Sequence, residues 1–129
     1  MKKFTKILAL TLVLIMSVAM FASCAAPNKD PKAAAEALED NGYKVVLFEG
    51  EEETYLVELS FDIEKLTAAI SASKGDDVVE VFYFEDADAA DAAFENVEKK
   101  AQDAGTTAKV HKSGSMIYYG TAAALKAAK

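Results

Sequence analysis

The octapeptide VVEVFYFE at residues 78–85 is the feature that most constrains the fold of this chain. Its β-branched and aromatic side chains alternate between two faces, with Phe82 and Phe84 on one and Val79, Val81 and Tyr83 on the other. This alternation is typical of a β-strand, and the preceding Lys74-Gly75-Asp76-Asp77 is typical of a hairpin loop. The sequence therefore predicts an antiparallel hairpin whose second strand is residues 78–85.

The segment before this loop is compatible with two structures. Ile63, Leu66 and Ile70 have the spacing of a helical stripe, whereas Leu66, Ala68, Ile70 and Ala72 alternate as in a strand. The hairpin loop that follows favours the strand, so we expect a turn at 62–65 and a strand at 66–73. Further strands are predicted at 43–49, 54–61, 107–112 and 115–119, the second of them with Tyr55, Val57, Leu59 and Phe61 on its buried face.

Capping residues indicate three helices. Asp30 followed by Pro31 is typical of a helix start, and Asn41-Gly42 ends the predicted helix 31–40. Asp86 or Asp88 begins a long helix that ends near residue 104, and Thr121 begins a short last helix.

Residues 81–93 can be aligned with residues 116–128, which places Tyr83 on Tyr118 and the cap Asp86 on the cap Thr121. Both stretches follow a strand and a turn, so the chain has a strand–turn–strand–helix pattern that occurs twice. We predict a single α+β domain over residues 31–129. Its core is an antiparallel sheet of four to six strands with helices mainly on one face.

The N-terminal residues have the order of segments found in a secretory signal peptide. Three lysines and no acid occur before the apolar run ILALTLVLIMSVAMFA. A membrane-spanning helix needs about 20 apolar residues, so this run is short for one. Phe21-Ala22-Ser23-Cys24 resembles the lipobox of bacterial lipoproteins, with Phe21 where leucine is usual. The resemblance implies a thioether-linked diacylglyceryl group on Cys24, with acyl chains such as palmitate, and cleavage before that residue.

Lipidation of Cys24, the single cysteine, would define three segments. Residues 1–23 are a signal peptide that is removed, and residues 24–30 are a lipidated tether reaching at most about 20 Å. Residues 31–129 are the domain, which is then extracytoplasmic and attached to the lipid bilayer through Cys24. No thiol remains for a disulfide, a nucleophile or a metal site.

The chain is acidic, with 14 basic residues, all of them lysine, against 21 Asp and Glu. Its formal charge of −7 becomes −10 when the three lysines of the signal peptide are removed. Nucleic-acid binding requires a basic stripe, and attraction to anionic lipid requires clustered lysine or arginine. Neither is visible along the sequence. We therefore expect no nucleic-acid partner and a domain that stands off the bilayer.

Three short motifs of the domain, NGY at 41–43, FYFED at 82–86 and YYGT at 118–121, resemble small acidic lipoproteins of low-GC Gram-positive bacteria. The resemblance implies attachment to the cell envelope and implies no activity.

A catalytic constellation is not visible. His111 is the only histidine, Cys24 is the expected lipidation site, and Ser113-Gly114 is explained as a turn. We expect no catalytic residues, no cofactor and no metal centre, and a non-enzymatic binding or accessory module. The alternative function is weak binding of a divalent cation or cationic ligand by the acidic loops, Glu51-Glu52-Glu53 and Asp76-Asp77.

The apolar residues of the predicted sheet exceed what one helix layer covers. Phe82, Phe84, Ile117 and Tyr119 suit the helix-packed face, which leaves Val81, Tyr83, Met116 and Tyr118 on the other face. Exposed apolar patches mark interaction surfaces. These four residues are therefore a candidate interaction face for another envelope protein or for a second copy of this chain. The alternative is that helix 31–40 or segment 54–73 covers them as core.

Overall fold

The computed structural model describes residues 26–105 and 109–129. The predicted signal peptide and Cys24 lie outside the described residues. The elements are α1 (Pro31–Asp40), β1 (Lys44–Glu49), α2 (Glu51–Phe61), β2 (Leu66–Lys74), β3 (Asp77–Phe84), α3 (Ala87–Asp103), β4 (His111–Ser113), β5 (Met116–Gly120) and α4 (Ala122–Ala127).

The five strands form one antiparallel sheet in the order β1-β2-β3-β5-β4. Strands β2 and β3 pair from Lys74 opposite Asp77 to Leu66 opposite Phe84. The tight turn between them contains Gly75 with a φ of 61°, a conformation that glycine adopts readily. The predicted α+β class is confirmed, as are the antiparallel sheet of four to six strands and the strand at 66–73.

Side-chain caps begin three of the helices, as the sequence predicts. Asp30, Asp86 and Thr121 each accept a hydrogen bond from a main-chain N–H of the first turn, at 3.2, 2.8 and 3.3 Å. Each cap satisfies a donor that the first turn of a helix leaves without a partner. The predicted starts of α1, α3 and α4 are therefore confirmed.

The predicted strand at 54–61 is wrong, because these residues belong to α2. Thr54, Val57 and Phe61 are its buried residues, and steps of three and four are the spacing of a helix face. Tyr55 and Leu59, expected on a buried strand face, are exposed by 58% and 62%. The glutamates at 51–53 occupy the first turn, where the helix dipole favours negative charge.

Helices cover both faces of the sheet, which corrects the expectation of helices mainly on one face. Helices α2 and α3 cover the face that carries Phe82, hereafter the α2/α3 face, where Phe61 packs edge-on against Phe82 at 4.9 Å between ring centroids. Helices α1 and α4 cover the α1/α4 face, which carries Val81 and Tyr83. Seven of the eight residues of β3 are buried, so both of its faces require a cover.

The predicted strand–turn–strand–helix pattern is present in the order of elements, as β2–β3–α3 and β4–β5–α4. Tyr83 and Tyr118, which the alignment superimposes, both lie on the α1/α4 face. The two helices nevertheless pack on opposite faces of the sheet. The two units therefore share an order of elements and differ in three-dimensional arrangement.

Candidate functional site

The four residues of the candidate interaction face do lie together. The register of β3 and β5 pairs Val81 with Tyr118 and Tyr83 with Met116. All four are buried, in a cluster that includes Leu38 of α1. The face is therefore closed to a partner in this fold, which corrects the interaction hypothesis. The alternative that helix 31–40 covers it as core is the one observed, with α4 as a second cover.

His111 lies at the start of β4 and stacks on Tyr118, with 5.5 Å between ring centroids. Its Nε2 is buried and has no hydrogen-bond partner among the described residues. Burial lowers the pKa of His111, and the charge of Lys109 lowers it further. Both the stacking on Tyr118 and the lowered pKa favour the neutral imidazole, which packs against the tyrosine ring.

Three polar side chains on the α2/α3 face form a cluster that the sequence analysis missed. The strand registers pair Ser71 with Glu80 and Glu80 with Tyr119, and we call these three residues the buried polar cluster. Their hydroxyl and carboxyl oxygens are buried without a hydrogen-bond partner in the part of the chain that the structure describes. The signal in the sequence is a single glutamate within the apolar strand VVEVFYF, at a position that faces the core.

Burial determines the protonation of this cluster. It raises the pKa of Glu80 well above the ordinary value, and the Ser71 hydroxyl close to the carboxyl opposes this rise. Burial also raises the pKa of Tyr119, and the charge of Glu80 raises it further. The fold thus favours the neutral form of both groups, since an unpaired buried charge is strongly disfavoured.

An acidic groove of about 450 Å³ lies between the α2–β2 connection and the start of α3. The carboxylates that line it are Asp62, Glu64, Asp86 and Asp88. Asp86 is engaged as the cap of α3, and Asn96 donates a hydrogen bond to the carbonyl oxygen of Asp62 at 2.6 Å. Within residues 26–105 and 109–129, no group of three Asp, Glu, His or Cys side chains is arranged to hold a metal ion.

The acidic loops of the alternative function are not brought together. Glu51-Glu52-Glu53 follows β1 and lies near the Ala68 end of β2, because Glu49 pairs with Ala68. Asp76-Asp77 lies at the opposite end of β2, in the turn to β3. The two sets of carboxylates therefore do not form one site.

The first described residues pack against the domain. Pro27 is buried, and Ala26 contacts the core of the α1/α4 face. The N–H of Asn28 donates to the carbonyl oxygen of Ala128 at 2.8 Å. The Tyr83 hydroxyl donates to the carbonyl oxygen of Asn28 at 2.8 Å. Of the predicted tether 24–30, residues 26–28 are thus held on the domain surface.

Comparison of the chain with protein-family models, with curated proteins and with solved structures gives no match. Among the residues that the structure describes, no helix has the length and apolar character needed to cross a membrane.

Proposed function

We propose that this protein is a lipid-anchored, extracytoplasmic protein of the bacterial cell envelope that acts as a non-enzymatic binding or accessory module. The observation that carries the proposal is the packing of Pro27 and Asn28, which begins three residues after the candidate lipidation site, Cys24. The lipobox-like Phe21-Ala22-Ser23-Cys24 and the ordered domain are therefore nearly contiguous.

This contiguity has a consequence for the attached domain. Only Cys24 and Ala25 separate the candidate lipid from Ala26, which already contacts the core. Two Cα–Cα steps span at most about 7.6 Å. The free part of the tether is then much shorter than the reach of about 20 Å that six extended residues allow. A lipid on Cys24 would hold the domain directly at the membrane surface.

The test of anchoring is expression of the full chain in a Gram-positive host, followed by mass spectrometry of the N-terminal peptide. We expect a mature N-terminus at Cys24 that carries a diacylglyceryl mass, and recovery of the protein with membranes. Cys24→Ala abolishes both, whereas Ser23→Ala keeps a small residue before the cysteine and leaves both unchanged. A mature wild-type protein without an acyl mass would refute the proposal.

The test of the binding role is photo-crosslinking in the native membrane. Since the α1/α4 face is covered, a partner has to contact the outer surface, where Tyr55 and Leu59 are the exposed large apolar side chains of the described residues. A crosslinker that replaces Tyr55 should give a discrete adduct with an envelope protein or a second copy. The matched control replaces Glu95 on α3, which is exposed and polar. Equal labelling patterns at both positions would contradict a specific contact through α2.

A further inference from the structure

The structure brings together lysines from the two ends of the domain. The hydrogen bond between Asn28 and Ala128 joins the segment before α1 to the end of α4, and both helices share one core on the α1/α4 face. Within four positions of these two residues the charged side chains are four lysines and one aspartate. The lysines are Lys29, Lys32, Lys126 and Lys129, which we call the basic patch.

The basic patch differs from the rest of this acidic domain. All four lysines are exposed, and none of them forms an ion pair with another residue in the described part of the chain. Asp30, the one carboxylate among them, is engaged in capping α1. The patch therefore carries a net positive charge on a chain whose mature form has a formal charge of −10.

The basic patch lies close to Cys24, so the membrane that holds the lipid of Cys24 is within its reach. Lys29 is five residues from Cys24 in sequence, and the intervening Pro27 and Asn28 are fixed on the domain. The Cα of Cys24 would lie within about 7.6 Å of the Cα of Ala26, a span comparable to the Debye length of about 8 Å at physiological ionic strength. Charges at this distance from a membrane are only partly screened.

We propose that the basic patch docks on the headgroups of anionic phospholipids and orients the domain on the membrane. The inference rests on the proposed lipidation of Cys24. Each lysine near an anionic surface strengthens binding about fivefold. The acidic groove, with Asp62, Glu64, Asp86 and Asp88, lies on the other side of the sheet, beside α3. The groove lies at the same end of β3 as the β4–β5 turn, because Asp86 closely follows Phe84, whose N–H donates to the carbonyl oxygen of Ser115. Docking therefore has to tilt the α1/α4 face, with its basic patch, toward the headgroups and the acidic groove away from them.

This orientation places one end of the sheet at the membrane and the other away from it. Ser113 at the end of β4 and Ser115 in the β4–β5 turn line a groove together with Lys29. The turn between β2 and β3, which contains Asp76, lies at the opposite end of β3. Eight residues of strand separate the two ends by about 23 Å. The β4–β5 turn faces the headgroups, and the β2–β3 turn faces the envelope.

The experiment compares how far the β4–β5 end and the β2–β3 end of the sheet lie from the membrane. It uses the lipidated mature protein in vesicles whose headgroups carry a fluorescence quencher. A dye is attached through Ser113→Cys or Asp76→Cys, and the thioether at Cys24 leaves no second thiol. In vesicles containing phosphatidylglycerol, we expect the dye at Ser113 to be quenched at least about twofold more than the dye at Asp76. The difference should shrink in phosphatidylcholine vesicles, and at 1 M salt, where the Debye length is about 3 Å.

A pair of charge variants tests whether the patch is responsible. Lys29→Gln with Lys126→Gln should lower the ratio of docked to free domain about 25-fold in phosphatidylglycerol vesicles, because two attractive charges are lost. Lys99→Gln with Lys100→Gln makes the same charge change on α3, on the opposite side of the sheet, and should leave the quenching unchanged.

The outcomes separate the two proposals. A mature protein without an acyl group on Cys24 would overturn the proposed function and the docking inference together. An acylated protein whose two dyes are quenched equally in anionic vesicles would overturn docking alone. So would unchanged quenching in the Lys29→Gln, Lys126→Gln variant. A crosslinker at Ser113 that captures a protein instead of lipid would replace the bilayer as the occupant and overturn the inference as well.

Discussion

Glu80 and Tyr119 lie opposite each other on the paired strands β3 and β5, and both side chains are buried. Their terminal oxygens have no hydrogen-bond partner within residues 26–105 and 109–129. Ser71 completes the row on β2. Burying an unsatisfied polar group costs about 1–3 kcal/mol. The centre of the α2/α3 face therefore contains a polar cluster that opposes folding, within a core that is mostly apolar.

The first prediction concerns the pH dependence of stability. Below the ordinary carboxyl pKa of 4.5, Glu80 is protonated in both the folded and the unfolded chain. Above it the unfolded chain ionises, whereas the folded chain stays neutral because burial raises the pKa. The contribution of Glu80 to the free energy of unfolding therefore falls as pH rises, by up to about 1.4 kcal/mol per pH unit. Urea unfolding between pH 4.5 and 8 measures this fall.

Glu80→Gln isolates this contribution because glutamine does not titrate. We expect the free energy of unfolding of the variant, minus that of the wild type, to increase as pH rises. Glu95→Gln removes an exposed carboxylate of α3 and should follow the wild type at every pH. Parallel curves for Glu80→Gln and the wild type would contradict a buried neutral carboxyl.

The second prediction compares two hydroxyl deletions of identical chemistry. Tyr119→Phe removes a buried hydroxyl that has no partner, so the free energy of unfolding should rise by about 1 kcal/mol. Tyr83→Phe removes the hydrogen bond to the Asn28 carbonyl, so the free energy of unfolding of this variant should fall by about 1 kcal/mol. The measurement is the urea midpoint of each variant at one pH. Shifts of the same sign would contradict the assigned hydrogen bonding.

Local features of the fold were predictable from the sequence, because residues within four positions determine them. The caps Asp30 and Thr121 and the turn at Gly75 depend on their immediate neighbours, and the structure has them where expected. Helix α2 was not predictable in the same way. Its residues satisfy both alternation and helical spacing, and the choice depends on what Val57 and Phe61 pack against.

The sites depend on contacts between distant residues, which single-sequence patterns do not contain. The burial of the candidate interaction face at Tyr83 could be predicted only with the knowledge that α1 and α4 cover it. The basic patch was not predictable because Lys29 and Lys126 are nearly one hundred positions apart in sequence and only the fold brings their segments together. Glu80 was not predicted either, although a lone carboxylate in an apolar strand is a signal that the sequence does contain.

The third prediction concerns the close approach of β5 to β3. A Cβ added at Gly120 would lie 2.4 Å from the carbonyl oxygen of Val78 and 2.8 Å from the Cα of Val79. Both are backbone atoms of a central strand, which cannot move without disturbing the sheet. Gly120→Ala should therefore lower the free energy of unfolding by about 2–3 kcal/mol, as measured by urea unfolding.

Gly75→Ala is the control for this variant. A Cβ at Gly75 meets nothing within 4 Å, but the φ of 61° disfavours alanine. Its cost is conformational only and should be about 1 kcal/mol. A loss at Gly120 no larger than the loss at Gly75 would argue against the tight contact of the two strands.

The fourth prediction distinguishes helix α2 from the strand that alternation suggests. In a strand, Tyr55 and Phe61 would share the buried face, and truncating either would destabilise the protein. In α2, Phe61 is buried against Phe82 and Tyr55 is 58% exposed. Phe61→Ala should therefore lower the free energy of unfolding by about 3–5 kcal/mol, whereas Tyr55→Ser should change it by less than about 0.5 kcal/mol. Urea unfolding of both variants distinguishes the helix from the strand. Similar losses of stability at both positions would favour the strand and contradict α2.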